Sequence, residues 1–177
     1  LAPRDLVPVL SQLINRLRCR FCQSKIPIRY LVLEIAIGSL FLATSMGYLN
    51  IGQLVLLVMG ITLSLYDQRE QEYPLLIWLF FHFLLLFLTG FNLLMISFLT
   101  LGIVAFFFDL RIGAGDFLFL SSCSTVFKLT EILWLIQIAS LAGLCLFCLK
   151  KRKDRIAFVP CLLIGVIVLL LCELLLQ

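Results

Sequence analysis

Two aspartates lie at the edges of long apolar stretches of this sequence, where a carboxylate can do chemistry that it cannot do in water. Asp67 follows directly on one apolar run, and Asp116 is followed by another. An ionised carboxylate beside hydrocarbon is costly, so such a residue is a functional candidate by default. Two carboxylates brought together in a poorly solvated site cannot both ionise easily and share one proton. One can then act as a general base on water while the other protonates a leaving amine, which is the chemistry of peptide hydrolysis.

The residues just before Asp116 favour a close approach of the backbone to a substrate. Asp116 closes the sequence Gly113-Ala114-Gly115-Asp116, and its two glycines allow conformations and contacts that a Cβ would forbid. Gly113 and Gly115 are therefore candidate substrate-binding residues. A structural role is the alternative for each aspartate taken alone, because Asp116 stands where it could cap the next helix.

Membrane helices must position these residues. Of the 177 residues, 63% are hydrophobic and only 14% are charged, and the mean hydropathy is +1.15. The apolar residues come in long blocks, most of them near the ~20 residues that a helix needs to span a bilayer. Lipid offers no hydrogen-bond partner to an open strand edge. We therefore predict an all-α, polytopic membrane helix bundle with about seven transmembrane segments, at 30–48, 51–66, 74–90, 92–108, 117–129, 132–149 and 157–175.

The positive charges orient this predicted bundle. If the basic N-terminal stretch up to Arg29 is cytoplasmic, three later loops return to that side, and every Lys and Arg except Lys128 lies there. Asp67 and Asp116 then share the cytoplasmic face. Glu70 and Glu72 lie in the same predicted loop as Asp67, and Asp109 lies in the same predicted loop as Asp116. No dinucleotide fingerprint or nucleotide-binding glycine loop is present, and we expect no nucleic-acid partner.

Several motifs follow one another in the order found in a known family. The aspartate of Tyr66-Asp67 stands seven positions before Pro74, and Gly113-Ala114-Gly115-Asp116 comes later in the chain. Cys19-Arg20-Phe21-Cys22 precedes both. This set resembles the type IV prepilin peptidases, whose two active-site motifs are an aspartate seven residues before a proline and a Gly-x-Gly-Asp sequence. Shorter matches occur at Asp5, Pro8, Leu10, Ser11, Ile26, Arg29, Tyr30, Glu34, Ile156, Phe158 and Pro160.

The resemblance implies the activity and its site. Members of the family are intramembrane aspartyl endopeptidases that remove the basic leader from prepilins or pseudopilins at the cytoplasmic face of the bacterial inner membrane. Many then methylate the new N-terminus with S-adenosylmethionine. The catalytic pair carries over to Asp67 and Asp116. Because the leader is basic, we expect Glu70, Glu72 and Asp109 to help attract it, and the short chain would suit competence pseudopilins as substrates.

The resemblance also implies a division of the chain and a metal. Residues 1–28 correspond to a cytoplasmic basic loop, and residues 29–177 to the transmembrane protease bundle. Cys19 and Cys22 resemble the second of the family's two zinc-binding cysteine pairs, with the first pair expected upstream of Leu1 in an N-terminally longer protein. A structural zinc site normally has four ligands, so these two thiolates form half of one. The alternative is a free thiol pair in a loop.

One departure and two rival functions accompany this interpretation. The family usually has a lysine two residues after the second aspartate, where this chain has Leu118. A presenilin-like protease would also pair Tyr-Asp with Gly-x-Gly-Asp, but without a basic cysteine loop at this place. A small transporter could use Asp67 and Asp116 for cation coupling, although coupling sites tend to lie near the bilayer midplane. The only histidine, His82, is expected to pack or to hydrogen-bond between helices rather than to bind a ligand.

Overall fold

All regular elements that the structure describes are helices. The computed structural model describes residues 9–15, 17–19, 22–70, 73–108, 113–149 and 158–175. Within these ranges the helical content confirms the predicted all-α class. The chain divides into two compact units, Leu1–Leu49 and Asn50–Gln177.

The first unit contains a short helix, α1 (Leu10–Ile14), and a long one, α2 (Ile28–Ser45). Helix α2 ends in a Schellman motif, in which Gly47 has a φ of 83°. The Gly47 N–H donates to the Thr44 carbonyl at 3.1 Å and the Tyr48 N–H to the Ala43 carbonyl at 3.0 Å. These bonds satisfy carbonyls that the helix end would leave unpaired, so α2 stops before the end of the predicted block 30–48.

The second unit is a bundle of six helices, counted over the described residues. They are α3 (Ile51–Glu70), α4 (Leu75–Thr89), α5 (Leu93–Phe108), α6 (Ala114–Val126), α7 (Leu129–Leu149) and α8 (Val159–Leu175). Helix α6 lies at the centre and packs against α3, α4, α5, α7 and α8. All the predicted apolar blocks are therefore helical. The end of α3 and the start of α6, which carry the two aspartates, differ from the predicted bounds.

The shifted ends concern the two aspartates. Helix α3 extends past the predicted end at residue 66, so Asp67 lies in its last turn and not in a loop. Helix α6 begins at Ala114, ahead of the predicted start at 117, so Asp116 lies in its first turn. Hydropathy marks only the apolar part of a helix, whereas hydrogen bonding carries the helix into the polar residues beyond.

Small polar side chains let α6 occupy the centre of an apolar bundle. Ser121, Ser122, Cys123 and Ser124 are buried. The Ser121 hydroxyl donates to the Leu118 carbonyl at 2.7 Å, and the Ser124 hydroxyl to the Ser121 carbonyl at 2.6 Å. Because these hydroxyls bond within their own helix, their burial leaves no donor unpaired. Small side chains also let neighbouring helices approach closely, as is common in membrane bundles.

The bundle has the dimensions and surface of a membrane protein. Three helical segments are long and apolar enough to cross a bilayer, namely Ile28–Ser45, Ile51–Gln68 and Leu129–Cys148. Three shorter apolar helices are Leu75–Thr89, Leu93–Phe108 and Val159–Leu175. Large apolar side chains point outward, as Phe87 and Leu76 do with 87% and 80% of their surface exposed. Such a surface is stable only against lipid or another apolar surface, which agrees with the predicted membrane helix bundle.

Candidate active site

Asp67 is held at the meeting point of two helices. It is half-buried in the last turn of α3, and its Oδ2 accepts a hydrogen bond of 3.2 Å from the backbone N–H of Val159. Val159 is the first residue of α8. Because the N-terminus of a helix carries a partial positive charge and free N–H groups, this contact stabilises the ionised form of the Asp67 carboxylate.

Asp116 is held differently. It is half-buried in the first turn of α6, with its side chain folded back toward Gly113, where a Cβ would lie 2.9 Å from Asp116 Oδ2. No side chain caps the start of α6. Among the described residues, no hydrogen bond to the Asp116 carboxylate is found, so the alternative role as a helix cap has no support in the geometry.

The fold brings the two carboxylates together, although they are far apart in sequence. Asp67 acts electrostatically on Asp116, and both act on Tyr73 and Cys161. The contact of α3 with α6 produces this meeting, at the end of α3 and the beginning of α6. Two like charges so placed, away from bulk water, favour a state in which one carboxylate is ionised and the other holds a proton.

Tyr73 forms one wall of the site. A Cβ at Gly115 would lie 2.8 and 2.9 Å from Cγ and Cε2 of the Tyr73 ring, so the ring rests directly on the backbone beside Asp116. This contact is possible only because residue 115 has no side chain. The Tyr73 hydroxyl oxygen is buried and has no hydrogen-bond partner among the described residues. Leaving such a group unpaired costs about 1–3 kcal/mol.

Two buried thiols complete the described surroundings of the pair. Cys123 on α6 and Cys161 on α8 are both fully buried. Both carboxylates act electrostatically on Cys161, and Cys123 acts on Tyr73. Tyr73 and Cys161 are therefore close enough to both aspartates to feel their charge, and Cys123 lies close to Tyr73. Tyr73 directly precedes the proline of the first motif, but no role was predicted for it, and no sequence pattern marks Val159 or either thiol.

The remaining predicted substrate residues are only partly described. Gly113 and Gly115 both lie within contact distance of site side chains, those of Asp116 and Tyr73. Glu70 is the last residue of α3, one turn beyond Asp67, and its side chain is not among those described. Glu72 and Asp109 lie outside the described residues, as do Arg111 and the basic run from Lys150 to Arg155.

A polar network between α4 and α6 lies in the core of the same unit. The Trp78 indole N–H donates to the Leu118 carbonyl and to the Ser122 hydroxyl, each at 3.0 Å. His82 Nδ1 lies 2.9 Å from the Ser122 hydroxyl, and its ring stacks on Trp78 with centroids 4.7 Å apart. This arrangement confirms the prediction that His82 forms an interhelical hydrogen bond.

In the first unit, Cys19 and Cys22 supply two thiols that could bind a metal, but the described residues supply no further ligand. The Cys19 N–H donates to the Ser24 carbonyl at 2.9 Å, and the Cys22 sulfur lies 3.0 Å from the Ser24 hydroxyl. This hydrogen bond lowers the pKa of Cys22 to about 7, which favours the thiolate that binds metals. The described residues contain no group of three or more His, Cys, Asp or Glu side chains that could hold a metal. They therefore do not form a complete zinc site.

The second unit thus defines a class, a helical membrane bundle in which two aspartates at one end are close enough to interact electrostatically. Comparisons with known proteins give two matches to this chain. Residues 1–48 match the family described as Bacterial Peptidase A24 N-terminal domain. The prepilin leader peptidase/N-methyltransferase of Neisseria gonorrhoeae is 35% identical over 72 residues, which are 38% of this chain and 25% of that protein. No solved structure matches.

The two matches agree with each other and confirm the resemblance to the type IV prepilin peptidases. Both matched descriptions name a peptidase. The chain spans about a quarter of the length of the curated relative that it matches. The family match ends at residue 48, before either aspartate, so the assignment of Asp67 and Asp116 depends on the motifs and on the geometry described above.

Proposed function

We propose that this chain is a membrane-embedded aspartyl endopeptidase that removes the basic leader from type IV prepilins or pseudopilins on the cytoplasmic side of the inner membrane. Asp67 and Asp116 are the catalytic pair. The observation that carries the proposal is the meeting of these two carboxylates at the end of α3 and the start of α6. The prepilin peptidase matches support the substrate class.

The surroundings of the two carboxylates suggest different roles for them. The Val159 N–H and the helix behind it favour negative charge on Asp67, whereas Asp116 accepts no hydrogen bond from the described residues. Asp67 is therefore the base that takes a proton from the attacking water. Asp116 holds the shared proton and gives it to the nitrogen of the broken peptide bond. After product release, the proton on Asp67 returns to Asp116 through water, which restores the starting protonation state.

The contact between Asp67 and α8 can be tested with a proline. Val159→Pro removes the N–H that Asp67 accepts, and proline is tolerated in the first position of a helix. We expect kcat to fall about ten-fold, because a hydrogen bond to a charged group contributes roughly 1.5–3 kcal/mol.

Val159→Ala is the matched control, since it shortens the same buried side chain and keeps the N–H. Both variants are compared by steady-state cleavage of a prepilin and by thermal unfolding in detergent. If Val159→Pro cleaves as fast as Val159→Ala, the N–H has no part in the reaction.

The acids Glu70, Glu72 and Asp109 are proposed to bind the basic leader. Combining Glu70→Gln, Glu72→Gln and Asp109→Asn should raise KM roughly three- to ten-fold at low salt, since exposed ion pairs contribute up to about 1 kcal/mol each. High salt should shrink the difference by screening. The control is Glu131→Gln with Glu173→Gln. Glu131 accepts a hydrogen bond from the backbone N–H of Lys128, and Glu173 lies at the end of α8 opposite to Val159. A KM that the triple change leaves unaltered at low salt would remove this role.

Two cofactors belong to the proposal. Zinc would bind Cys19 and Cys22, with further ligands from outside the described residues. S-adenosylmethionine would serve methylation of the new N-terminus, an activity that the name of the Neisseria relative includes. No residue of the described part of the chain is assigned to methyl transfer or to binding of S-adenosylmethionine.

One experiment tests the proposed function directly. The full chain in lipid nanodiscs is incubated with a prepilin, with and without S-adenosylmethionine, and the products are weighed by mass spectrometry. Loss of the leader supports the endopeptidase, and an added methyl group supports the second activity. An intact prepilin under both conditions refutes the proposed function.

A further inference from the structure

The Tyr73 hydroxyl is a buried polar group whose lack of a partner calls for an explanation. Its oxygen is shielded from solvent and accepts or donates no hydrogen bond among the described residues. Buried hydroxyls in native proteins are nearly always paired, and exceptions concentrate at functional sites or where a further molecule binds. Tyr73 also precedes Pro74, which begins the connection into α4, so its backbone position is restricted.

The position of Tyr73 points to the aspartate pair. Its ring rests on Gly115, the residue immediately before Asp116. Both Asp67 and Asp116 act on the phenol electrostatically. Burial, followed by the nearby charges, raises the pKa of Tyr73 well above its usual value. The phenol therefore keeps its proton over the whole physiological range and can act only as a neutral hydrogen-bond donor beside two carboxylates.

A neutral donor next to the pair has a task for which neither aspartate is free in the proposed cycle. When water adds to a peptide carbonyl, negative charge develops on the carbonyl oxygen. The ionised Asp67 would repel that charge, and the proton of Asp116 is needed by the leaving nitrogen. Preorganised donors aimed at that oxygen are a large source of rate enhancement in acyl-group hydrolysis. Among the described polar side chains around the pair, Tyr73 carries the hydroxyl, and its proton is not already engaged by another described residue.

We propose that the Tyr73 hydroxyl donates a hydrogen bond to the carbonyl oxygen of the scissile peptide bond as that oxygen becomes an oxyanion. This inference rests on the proposed function and adds a third catalytic residue to it. The contact of the Tyr73 ring with Gly115 preorganises the donor, because it fixes the ring and leaves the hydroxyl free only to rotate about its bond to the ring.

The step balances without any further reactant. The water oxygen forms a bond to the carbonyl carbon while Asp67 accepts a water proton, and the carbonyl electron pair moves onto the oxygen that Tyr73 binds. Collapse of this intermediate re-forms the carbonyl and breaks the carbon–nitrogen bond. Asp116 gives its proton to the leaving nitrogen. Tyr73 donates a hydrogen bond throughout and keeps its own proton.

Tyr73→Phe tests the donor, because it removes one oxygen atom and keeps the ring on Gly115. We expect kcat for leader cleavage to fall about 10²-fold, in the range found when one oxyanion donor is removed. KM should change little, since the bond forms fully only in the transition state. The variant should unfold at the same temperature as the wild type or higher, because the free protein loses an unpaired buried hydroxyl and no hydrogen bond.

The matched control is Tyr48→Phe, the same change at a tyrosine that is 60% exposed in the turn after α2. It should cleave at the wild-type rate. All proteins are assayed as full chains in nanodiscs, beside Asp116→Asn. Tyr73→Phe at the wild-type rate next to an inactive Asp116→Asn overturns this inference alone. A lowered unfolding temperature with a raised KM would also overturn it, because the hydroxyl would then be structural. A wild type that leaves the prepilin intact overturns the proposed function and this inference together.

Discussion

We expect Asp67→Asn and Asp116→Asn each to abolish leader cleavage while the protein stays folded. An amide has nearly the shape of a carboxyl group but can neither take a proton from water nor give one to a leaving amine. Positioned acids and bases contribute about 10²–10⁴-fold each. Because the two act on the same water and peptide, losing either should remove nearly all of the activity that losing both would remove. Mass spectrometry of an incubated prepilin measures the remaining cleavage.

Stability separates a catalytic loss from a folding defect. Asparagine at position 67 keeps an oxygen that can accept the Val159 N–H, and Asp116 has no described hydrogen bond to lose. Both variants should therefore unfold at temperatures close to the wild type. Glu173→Gln is the control, an acid-to-amide change in α8 whose side chain lies 3.4 Å from Gln53. Cleavage by either aspartate variant at a rate near the wild type contradicts the catalytic assignment.

The position of the aspartates within their helices also bears on the transporter alternative. A cation-coupling site near the bilayer midplane would place acids in the middle of long helices. Asp67 and Asp116 instead lie in a last and a first helical turn. That placement puts them at one end of the bundle. Cation flux in liposomes that depended on both aspartates would favour the transporter over the protease.

The helices could be predicted from the sequence because lipid makes hydropathy decisive. The blocks 74–90 and 92–108 agree closely with α4, which ends at Thr89, and with α5, which begins at Leu93. The prediction was poorer where a helix continues into polar residues, as at Glu70 and Ala114. There, backbone hydrogen bonds extend the helix beyond its apolar part, and hydropathy contains no signal for them.

Only the site residues with a distinctive sequence pattern could be predicted. Two aspartates at apolar boundaries are conspicuous because a charge there is costly. The Val159 N–H is a backbone group that every residue except proline has, so no sequence pattern distinguishes it. The contact of Tyr73 with Gly115 depends on how α3, α4 and α6 pack, and a tyrosine before a proline is unremarkable by itself. These contacts become visible only when the bundle is assembled.

The contact between Gly115 and Tyr73 leads to the second large effect. Gly115→Ala should lower kcat about 10²-fold, comparable with the effect of misplacing a reacting group by about 1 Å. The new Cβ would stand less than 3.0 Å from several ring carbons of Tyr73, including Cγ at the base of the ring. The ring cannot turn away from a contact at its base, so either Tyr73 or the start of α6, with Asp116, must move. Steady-state cleavage and thermal unfolding in nanodiscs measure the two consequences.

Gly38→Ala is the matched control, because a Cβ at this position in α2 meets nothing within 4 Å. It should leave cleavage unchanged and should not destabilise the protein, since alanine is the better helix former. A double-mutant cycle then identifies which group the alanine displaces. If the loss arises by moving Tyr73, adding Tyr73→Phe to Gly115→Ala costs little more, because the hydroxyl is already misplaced. Fully additive losses would instead mean that the alanine acts through Asp116. Wild-type cleavage by Gly115→Ala would contradict the packing of Tyr73 on Gly115, and with it the described shape of the site.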